Sequence, residues 1–126
     1  MTIALLLSFL VSFLPSSTMG SLTNEHIEIL SYAYIRAVDE RISPQKFILL
    51  LNCESGLNKK AVGDKGKANG IAQFWKGTYD VFAKQYGLAG SYKNPYSQIN
   101  LAANMIGDNL ASHWYRCGIK SGFIKK

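Results

Sequence analysis

The sequence predicts a single, mostly α-helical domain of several packed helices with a glycine-rich loop between them. The chain has 126 residues, which is enough for one domain and leaves no room for a second. Apolar residues recur at helical spacing in several segments, and no alternating strand pattern of useful length is present. Residues 56–70 are rich in Gly, Lys and Asn, which is typical of an ordered functional loop rather than a linker.

The first twenty residues predict an export signal. They carry no charged side chain, and an apolar run of twelve residues extends from Ile3 to Leu14. This run is shorter than the roughly 20 apolar residues that a membrane span needs. We therefore expect residues 1–20 to be a signal peptide, with an uncleaved N-terminal anchor as the alternative. The domain, residues 21–126, would then be exported and be periplasmic, wall-associated or secreted, in contact with a membrane only through its N-terminal segment.

The first two predicted helices have the clearest periodicity. Asn24 is expected to cap a helix that runs to about Arg41, and Ser43 with Pro44 is expected to start a second helix that lasts until Gly56. The predicted buried stripe of the first helix is Ile27, Leu30, Tyr34 and Val38. One face of the second helix carries Phe47, Leu50, Leu51 and Glu54. The face that enters the core therefore ends in a carboxylic acid.

A third helix is predicted after the loop. A short helical turn is expected near Gly70. Thr78 is a suitable N-cap for a helix over Tyr79–Tyr86, and Gly87 is suited to end it in the left-handed conformation.

The fourth predicted helix opens at Asn94 and Pro95 and runs to about Ser112. Its inner side is expected to carry Ile99, Ala102, Ala103, Ile106 and Leu110. The tail that remains, residues 113–126, is expected to fray.

The net charge of +6 indicates which class of binding partner the protein favours. Five lysines cluster around the loop: Lys59, Lys60, Lys65, Lys67 and Lys76. Basic clusters favour polyanions, but nothing resembles a nucleic-acid recognition helix, and these lysines alternate with glycines. We therefore expect no nucleic acid, and an anionic cell-wall polymer is favoured as the partner. A merely solvated surface is the other interpretation.

The chain has two cysteines, Cys53 and Cys117. In an exported protein an even pair suggests a disulfide, and two separate buried thiols are the alternative. The bond would tie the residue next to Glu54 to the C-terminal segment. Neither cysteine has partners at metal-ligand spacing, and His26 and His113 lie far apart, so the sequence predicts no metal site and no cofactor.

Glu54 is the candidate general acid. It ends the apolar face of the second helix and precedes the glycine-rich loop. A carboxyl group partly withdrawn from water has a raised pKa, because burial disfavours the charged form. Glycoside cleavage requires a carboxylic acid that is protonated near neutral pH. A solvated glutamate at a helix end is the ordinary alternative.

Three short motifs connect this acid to a known family. They are Glu54-Ser55-Gly56, Ala61-Val62-Gly63 and Gly70-Ile71-Ala72-Gln73-Phe74. Together they resemble the catalytic domain of the soluble lytic transglycosylases, which belongs to the lysozyme-like superfamily and is related to goose-type lysozyme. The resemblance covers about residues 29–117 and implies a lysozyme-like fold.

The resemblance also implies an activity, in which Glu54 is the sole general acid and base. Glu54 would protonate the glycosidic oxygen between N-acetylmuramic acid and N-acetylglucosamine, and then take the proton of the muramoyl C6 hydroxyl as it closes a 1,6-anhydro ring. Ser55 would hydrogen-bond the substrate or orient Glu54. Gly70 would let the backbone approach the glycan, and Gln73 would offer its amide to a sugar. The implied partner is the glycan strand of peptidoglycan, and we expect the enzyme to be a monomer.

Two positions depart from the family pattern. Ala72 stands where the family usually has Met, and Met105 stands where a tyrosine that helps to hold the catalytic acid is expected. Asn104, Tyr115 and Tyr79 are the candidates to replace that tyrosine and to contact the substrate. Spacing does not choose among them.

Two other functions fit the same residues. In a hydrolytic muramidase, Asp64 or Asp80 would position a water molecule. In a non-catalytic peptidoglycan-binding module the groove would be retained without efficient catalysis, and Met105 in place of tyrosine favours that interpretation. In each case Trp75 and Trp114 are expected either to stack on sugar rings or to lie in the core.

Overall fold

The computed structural model describes residues 22–126, so the expected signal peptide lies outside the described residues. This part of the chain contains five α-helices and one antiparallel sheet of three two-residue strands. In chain order the elements are α1 (Asn24–Asp39), α2 (Pro44–Ser55), β1 (Val62–Gly63), β2 (Ala68–Asn69), β3 (Phe74–Trp75), α3 (Lys76–Gln85), α4 (Pro95–Gly107) and α5 (Tyr115–Ser121). The prediction of a small, mostly α-helical domain is confirmed, and the architecture is consistent with a lysozyme-like fold. None of the helices between residues 22 and 126 combines the length and the apolar character needed to cross a membrane.

Helix α1 begins one residue earlier than predicted. Thr23, not Asn24, is the N-cap: its hydroxyl accepts the His26 backbone N–H at 3.2 Å, and the His26 ring accepts the Thr23 N–H at 3.1 Å. The predicted stripe is also wrong in part, since Val38 is 52% exposed. The buried face is set by α2 and α4, which both pack against α1. It consists of Ile29, Leu30, Ala33 and Ala37.

Helix α2 forms as the sequence predicts. The Ser43 side chain accepts the Lys46 N–H at 3.2 Å, Pro44 occupies the first turn, and Gly56 ends the helix with φ of 62°. The residues buried along it are Phe47, Ile48, Leu50 and Leu51. Glu54 therefore lies at the C-terminal end of a helix that is anchored in the core.

The small sheet shapes the glycine-rich loop. Val62 pairs with Asn69 across β1 and β2, and Asn69 in turn pairs with Phe74 across β2 and β3. The expected helical turn near Gly70 is wrong, because residues 70–73 form the tight turn that joins β2 to β3, with the Gln73 N–H donating to the Gly70 carbonyl at 3.1 Å. Strands of two residues are too short to show alternation in the sequence.

Helices α3 and α4 differ from the prediction at one end each. Because β3 leads directly into α3, the helix starts at Lys76, and Thr78 lies inside its first turn instead of capping it. Helix α4 is capped by Asn94 as predicted, but it ends at Gly107. Asn109 adopts a left-handed φ of 65°, which ends the helix before Ser112.

The predicted fraying of the tail is wrong. A 3₁₀ turn over Ala111–Trp114 leads into α5, whose Cys117, Gly118 and Ser121 are buried. Helix α5 packs on α2, and the predicted Cys53–Cys117 disulfide joins the two helices. Gly118 also makes room for Ile124, since a Cβ at residue 118 would lie 2.6 Å from the Ile124 side chain.

Candidate active site

A cleft of about 580 Å³ opens at the C-terminal end of α2. One side, here called the loop wall, consists of Asp64, Ala68, Gln73 and Trp75. The other side, here called the helical wall, consists of His113, Tyr115, Arg116 and Lys120. Cys53, Glu54, Phe74, Thr78, Trp114 and Cys117 complete the lining. Within residues 22–126, no three His, Cys, Asp or Glu side chains are grouped so that they could hold a metal ion.

Glu54 is half-buried in this cleft. Burial raises the pKa of its carboxyl group from the ordinary value of 4.5 to about 7. The negative charge of Asp64 contributes to this raised pKa, and the positive charge of Arg116 opposes it. The cleft thus holds a carboxylic acid that exists in both protonation states near neutral pH, as a group that must both give and take a proton requires.

The loop wall holds Asp64 and Trp75 together. The Trp75 indole N–H donates to the Asp64 carboxylate at 3.1 Å, and the Lys67 ammonium lies 5.1 Å from the Trp75 ring centre. Trp75 is 46% exposed, so part of its ring remains available within the cleft. Asp80, the other acid considered for positioning water, instead pairs with Lys76 at 2.6 Å and does not line the cleft.

Gln73 lines the cleft and also holds the loop in shape. Its side-chain amide donates to the Ala61 carbonyl at 3.0 Å and to the Gly70 carbonyl at 2.9 Å. Both amide hydrogens therefore have partners within the loop, and the side-chain oxygen lies against Gly63, where a Cβ would come within 2.6 Å of it.

Ser55 and Gly70 lie behind the cleft, outside its lining. The Ser55 hydroxyl donates to the Ile71 carbonyl at 2.7 Å, which fixes the end of α2 to the turn between β2 and β3. Gly70 is buried with φ of 84°, and a Cβ there would lie 2.5 Å from the Gln98 amide. The close approach that Gly70 permits is therefore to Gln98.

Gln98 is a supporting residue that the sequence analysis missed. It is fully buried on α4. Its side chain accepts the Ala72 N–H at 2.9 Å and donates to the carbonyls of Asn69 and Tyr92 at 3.0 and 2.8 Å. The signal that could have found it is a glutamine next to Ile99, at the start of an apolar helical face.

The three candidates for the missing tyrosine occupy different places. Tyr115 lines the cleft and is 62% exposed. Tyr79 is buried against Phe74, and Asn104 donates to the Asn100 carbonyl at 2.8 Å on α4. Neither Tyr79 nor Asn104 lines the cleft, so Tyr115 alone among the three is brought to Glu54's cleft.

The two tryptophans also separate. Trp114 is only 4% exposed, and its indole N–H donates to the Ala72 carbonyl at 2.8 Å, so it belongs to the core beneath the cleft. Trp75, in contrast, lines the cleft with nearly half of its surface exposed.

A family model for the transglycosylase SLT domain matches residues 31–116, which is more than half of the chain. The match includes α2, the whole sheet and the first part of the helical wall. No curated protein and no solved structure gave a significant match.

Proposed function

The chain belongs to the transglycosylase SLT domain family, whose members act on peptidoglycan, and on this premise we propose that it is a lytic transglycosylase. It cleaves the β-1,4 bond between N-acetylmuramic acid and N-acetylglucosamine and leaves a 1,6-anhydro end on the muramoyl residue. Glu54 is the only acid and base of the reaction. The observation that carries the proposal is the half-buried position of Glu54 in the cleft, with a pKa of about 7.

The reaction uses the Glu54 carboxyl group twice, first as an acid and then as a base. In the first step the carboxylic acid donates its proton to the glycosidic oxygen, the bond from that oxygen to C1 breaks, and the N-acetylglucosamine side leaves with a new hydroxyl group. In the second step the muramoyl C6 oxygen bonds to C1 and its proton returns to the Glu54 carboxylate. No water is consumed, so no second carboxylate is needed to activate one.

The walls supply binding and orientation. We assign to Trp75 the stacking on a sugar ring, because its ring is half-exposed and oriented by Asp64 and Lys67. Tyr115 takes the place of the family tyrosine, since it alone of the three candidates lines the cleft. Ser55 and Gln73 act by fixing the α2 end and the loop on either side of the acid.

Export of the domain is part of this proposal. The Cys53–Cys117 disulfide supports it, because such bonds persist in oxidising compartments outside the cytosol. Residues 1–20 would then direct the chain across the membrane to the wall.

A hydrolytic muramidase is the second candidate, and one observation favours it. Asp64 lines the same cleft as Glu54 and its charge acts on that acid, so it is near enough to position a water molecule. Against this, the Asp64 carboxylate already accepts the Trp75 indole N–H.

Product analysis in ¹⁸O-labelled water separates the two reactions. Purified peptidoglycan is digested with the wild-type domain and with the Glu54→Gln and Asp64→Asn variants, and the released muropeptides are analysed by mass spectrometry. A transglycosylase gives unlabelled 1,6-anhydro ends with the wild type and with Asp64→Asn, and none with Glu54→Gln. Labelled reducing ends that disappear in Asp64→Asn would establish the muramidase. If the folded wild-type domain releases no muropeptides, a non-catalytic peptidoglycan-binding module would be the remaining interpretation.

A further inference from the structure

Two cations of the helical wall face the cleft together. Arg116 and Lys120 are four residues apart on α5, so they share one face of the helix, and both line the cleft. Of the buried positions of the same helix, Cys117 also lines the cleft, whereas Gly118 and Ser121 do not. The disulfide joins Cys117 to the residue that precedes Glu54, so these cations are held beside the proposed acid.

Neither cation is neutralised by the protein. Along residues 22–126, ion pairs form from Arg36 to Asp39 and Glu40, from Lys59 to Glu25 and from Lys76 to Asp80. Arg116 and Lys120 take part in none of them. The acids that line the cleft, Glu54 and Asp64, form no ion pair with either cation. Two positive charges therefore remain uncompensated at the edge of the cleft.

We propose that Arg116 and Lys120 form a subsite for a carboxylate carried by the substrate beside the scissile bond. This inference rests on the proposed function, which brings a muramoyl residue into the cleft. The muramoyl residue carries a lactyl group, whose carboxylate is free in peptide-free strands and is the attachment point of an acidic peptide in substituted strands. The planar guanidinium of Arg116 suits paired hydrogen bonds to a carboxylate, and Lys120 adds a second charge one turn away.

The test measures binding without cleavage, in the Glu54→Gln background. Four ligands are titrated by calorimetry: soluble glycan strands with peptides, strands freed of peptides, strands whose carboxylates are converted to amides, and N-acetylglucosamine oligomers. Each is measured with the background protein and after adding Arg116→Gln, Arg116→Lys, Lys120→Gln or the control Lys84→Gln. Lys84 is exposed on α3 and does not line the cleft.

We expect Arg116→Gln to weaken binding of carboxylate-bearing strands about 5- to 10-fold and Lys120→Gln about 2- to 5-fold. Arg116→Lys keeps the charge but cannot make the paired hydrogen bonds, so its loss of affinity should be smaller than that of Arg116→Gln. Binding of the amidated strands and of the neutral oligomers should not change, and Lys84→Gln should have no effect. An effect confined to peptide-bearing strands identifies a peptide carboxylate, whereas an effect that persists in peptide-free strands identifies the lactyl carboxylate.

Three results would overturn the subsite: equal affinities in all variants, an equal loss on the neutral ligands, or an equal loss with Lys84→Gln. Unchanged thermal unfolding of each variant checks that α5 remains in place. The binding assay is independent of catalysis, so a wild-type domain that binds by charge but releases no products would contradict the proposed function alone.

Discussion

The two walls of the cleft are built in different ways. The loop wall lies within twelve residues, from Asp64 to Trp75, and is held by short strands and by the amides of Gln73 and Gln98. The helical wall lies on the 3₁₀ turn over Ala111–Trp114 and on α5, which one disulfide ties to α2 across 64 residues of sequence. The loop wall is therefore a local structure, and the helical wall depends on a long-range bond.

The walls also act on Glu54 with opposite sign. Asp64 on the loop wall raises the pKa of the acid, and Arg116 on the helical wall lowers it. Burial between them makes the largest contribution to the raised pKa. The protonation state of Glu54 is thus a property of the whole cleft and not of one motif.

Removal of the disulfide should break the helical wall selectively. In a Cys53→Ser, Cys117→Ser variant we expect the free energy of unfolding to fall by about 4 kcal/mol, because a long loop is no longer closed in the unfolded chain. Hydrogen exchange under native conditions should show amides of α5 losing protection while residues 61–75 keep theirs. Unchanged protection in α5 would show that packing alone holds this wall.

The burial of the Glu54 carboxyl group between the two walls should make the free energy of unfolding depend on pH. The pKa of Glu54 is raised from 4.5 to about 7 in the folded state, so the native protein binds a proton more tightly than the unfolded chain does. The stabilisation is complete below about pH 4.5 and is lost as the pH rises through about 7; because the carboxyl group is only half-buried, solvent screening limits the change to about 1–2 kcal/mol.

Urea unfolding of wild type and Glu54→Gln at pH 4 and pH 8 measures this difference. The free energy of unfolding of the wild type, measured relative to that of the variant, should be lower at pH 8 than at pH 4. A constant difference would mean that Glu54 is not desolvated.

A substitution at Gly70 should destabilise the loop wall, because residue 70 packs against the buried Gln98 side chain. Gly70→Ala introduces a left-handed alanine and a Cβ that lies 2.5 Å from the buried Gln98 amide, and we expect a loss of about 2–4 kcal/mol in the free energy of unfolding. Gly66→Ala is the matched control, since Gly66 has φ of 93° and nothing within 4 Å of its Cβ position.

The control should cost about 1 kcal/mol, from backbone strain alone. Chemical denaturation of both variants measures the difference. Equal losses would show that contact with Gln98 does not support the turn.

The smallest expected effect tests whether the two walls shift the pKa of Glu54 in opposite directions. Activity should fall at high pH as Glu54 loses its proton. Asp64→Asn should move this alkaline limb to lower pH and Arg116→Gln should move it to higher pH, each by less than about 1 pH unit because the cleft is open to water. The pH profiles of kcat/KM for the two variants measure the shifts. Displacements in the same direction would contradict the assignment of opposite effects to the walls.

The features that could be predicted from the sequence are those that depend on neighbouring residues, and the features that were missed depend on long-range contacts or on very short elements. The cap at Ser43 and the end of α2 at Gly56 depend on neighbouring residues, and both were predicted in their correct places, as was the position of Glu54 near the end of this helix. The strands around the loop were missed because two residues cannot display a period of two. The tail was misjudged although the Cys53–Cys117 disulfide was predicted, because no local pattern reveals the packing of Ile124 against Gly118.

The site residues show the same limit. Of the residues that the motifs single out, Glu54 and Gln73 line the cleft, whereas Ser55 and Gly70 lie outside its lining and hold the turn between β2 and β3. Tyr115 could not be separated from the other candidates by spacing, since its position depends on the fold of the tail.

The central claim is that the cleft holds Glu54 with a proton near neutral pH. The most direct test is a carbon-13 NMR titration of the Glu54 side-chain carboxyl, assigned by comparison with Glu54→Gln. The account predicts a pKa of about 7. A pKa near the ordinary value of 4.5 would contradict it, because Glu54 would then be a solvated carboxylate without a proton to donate.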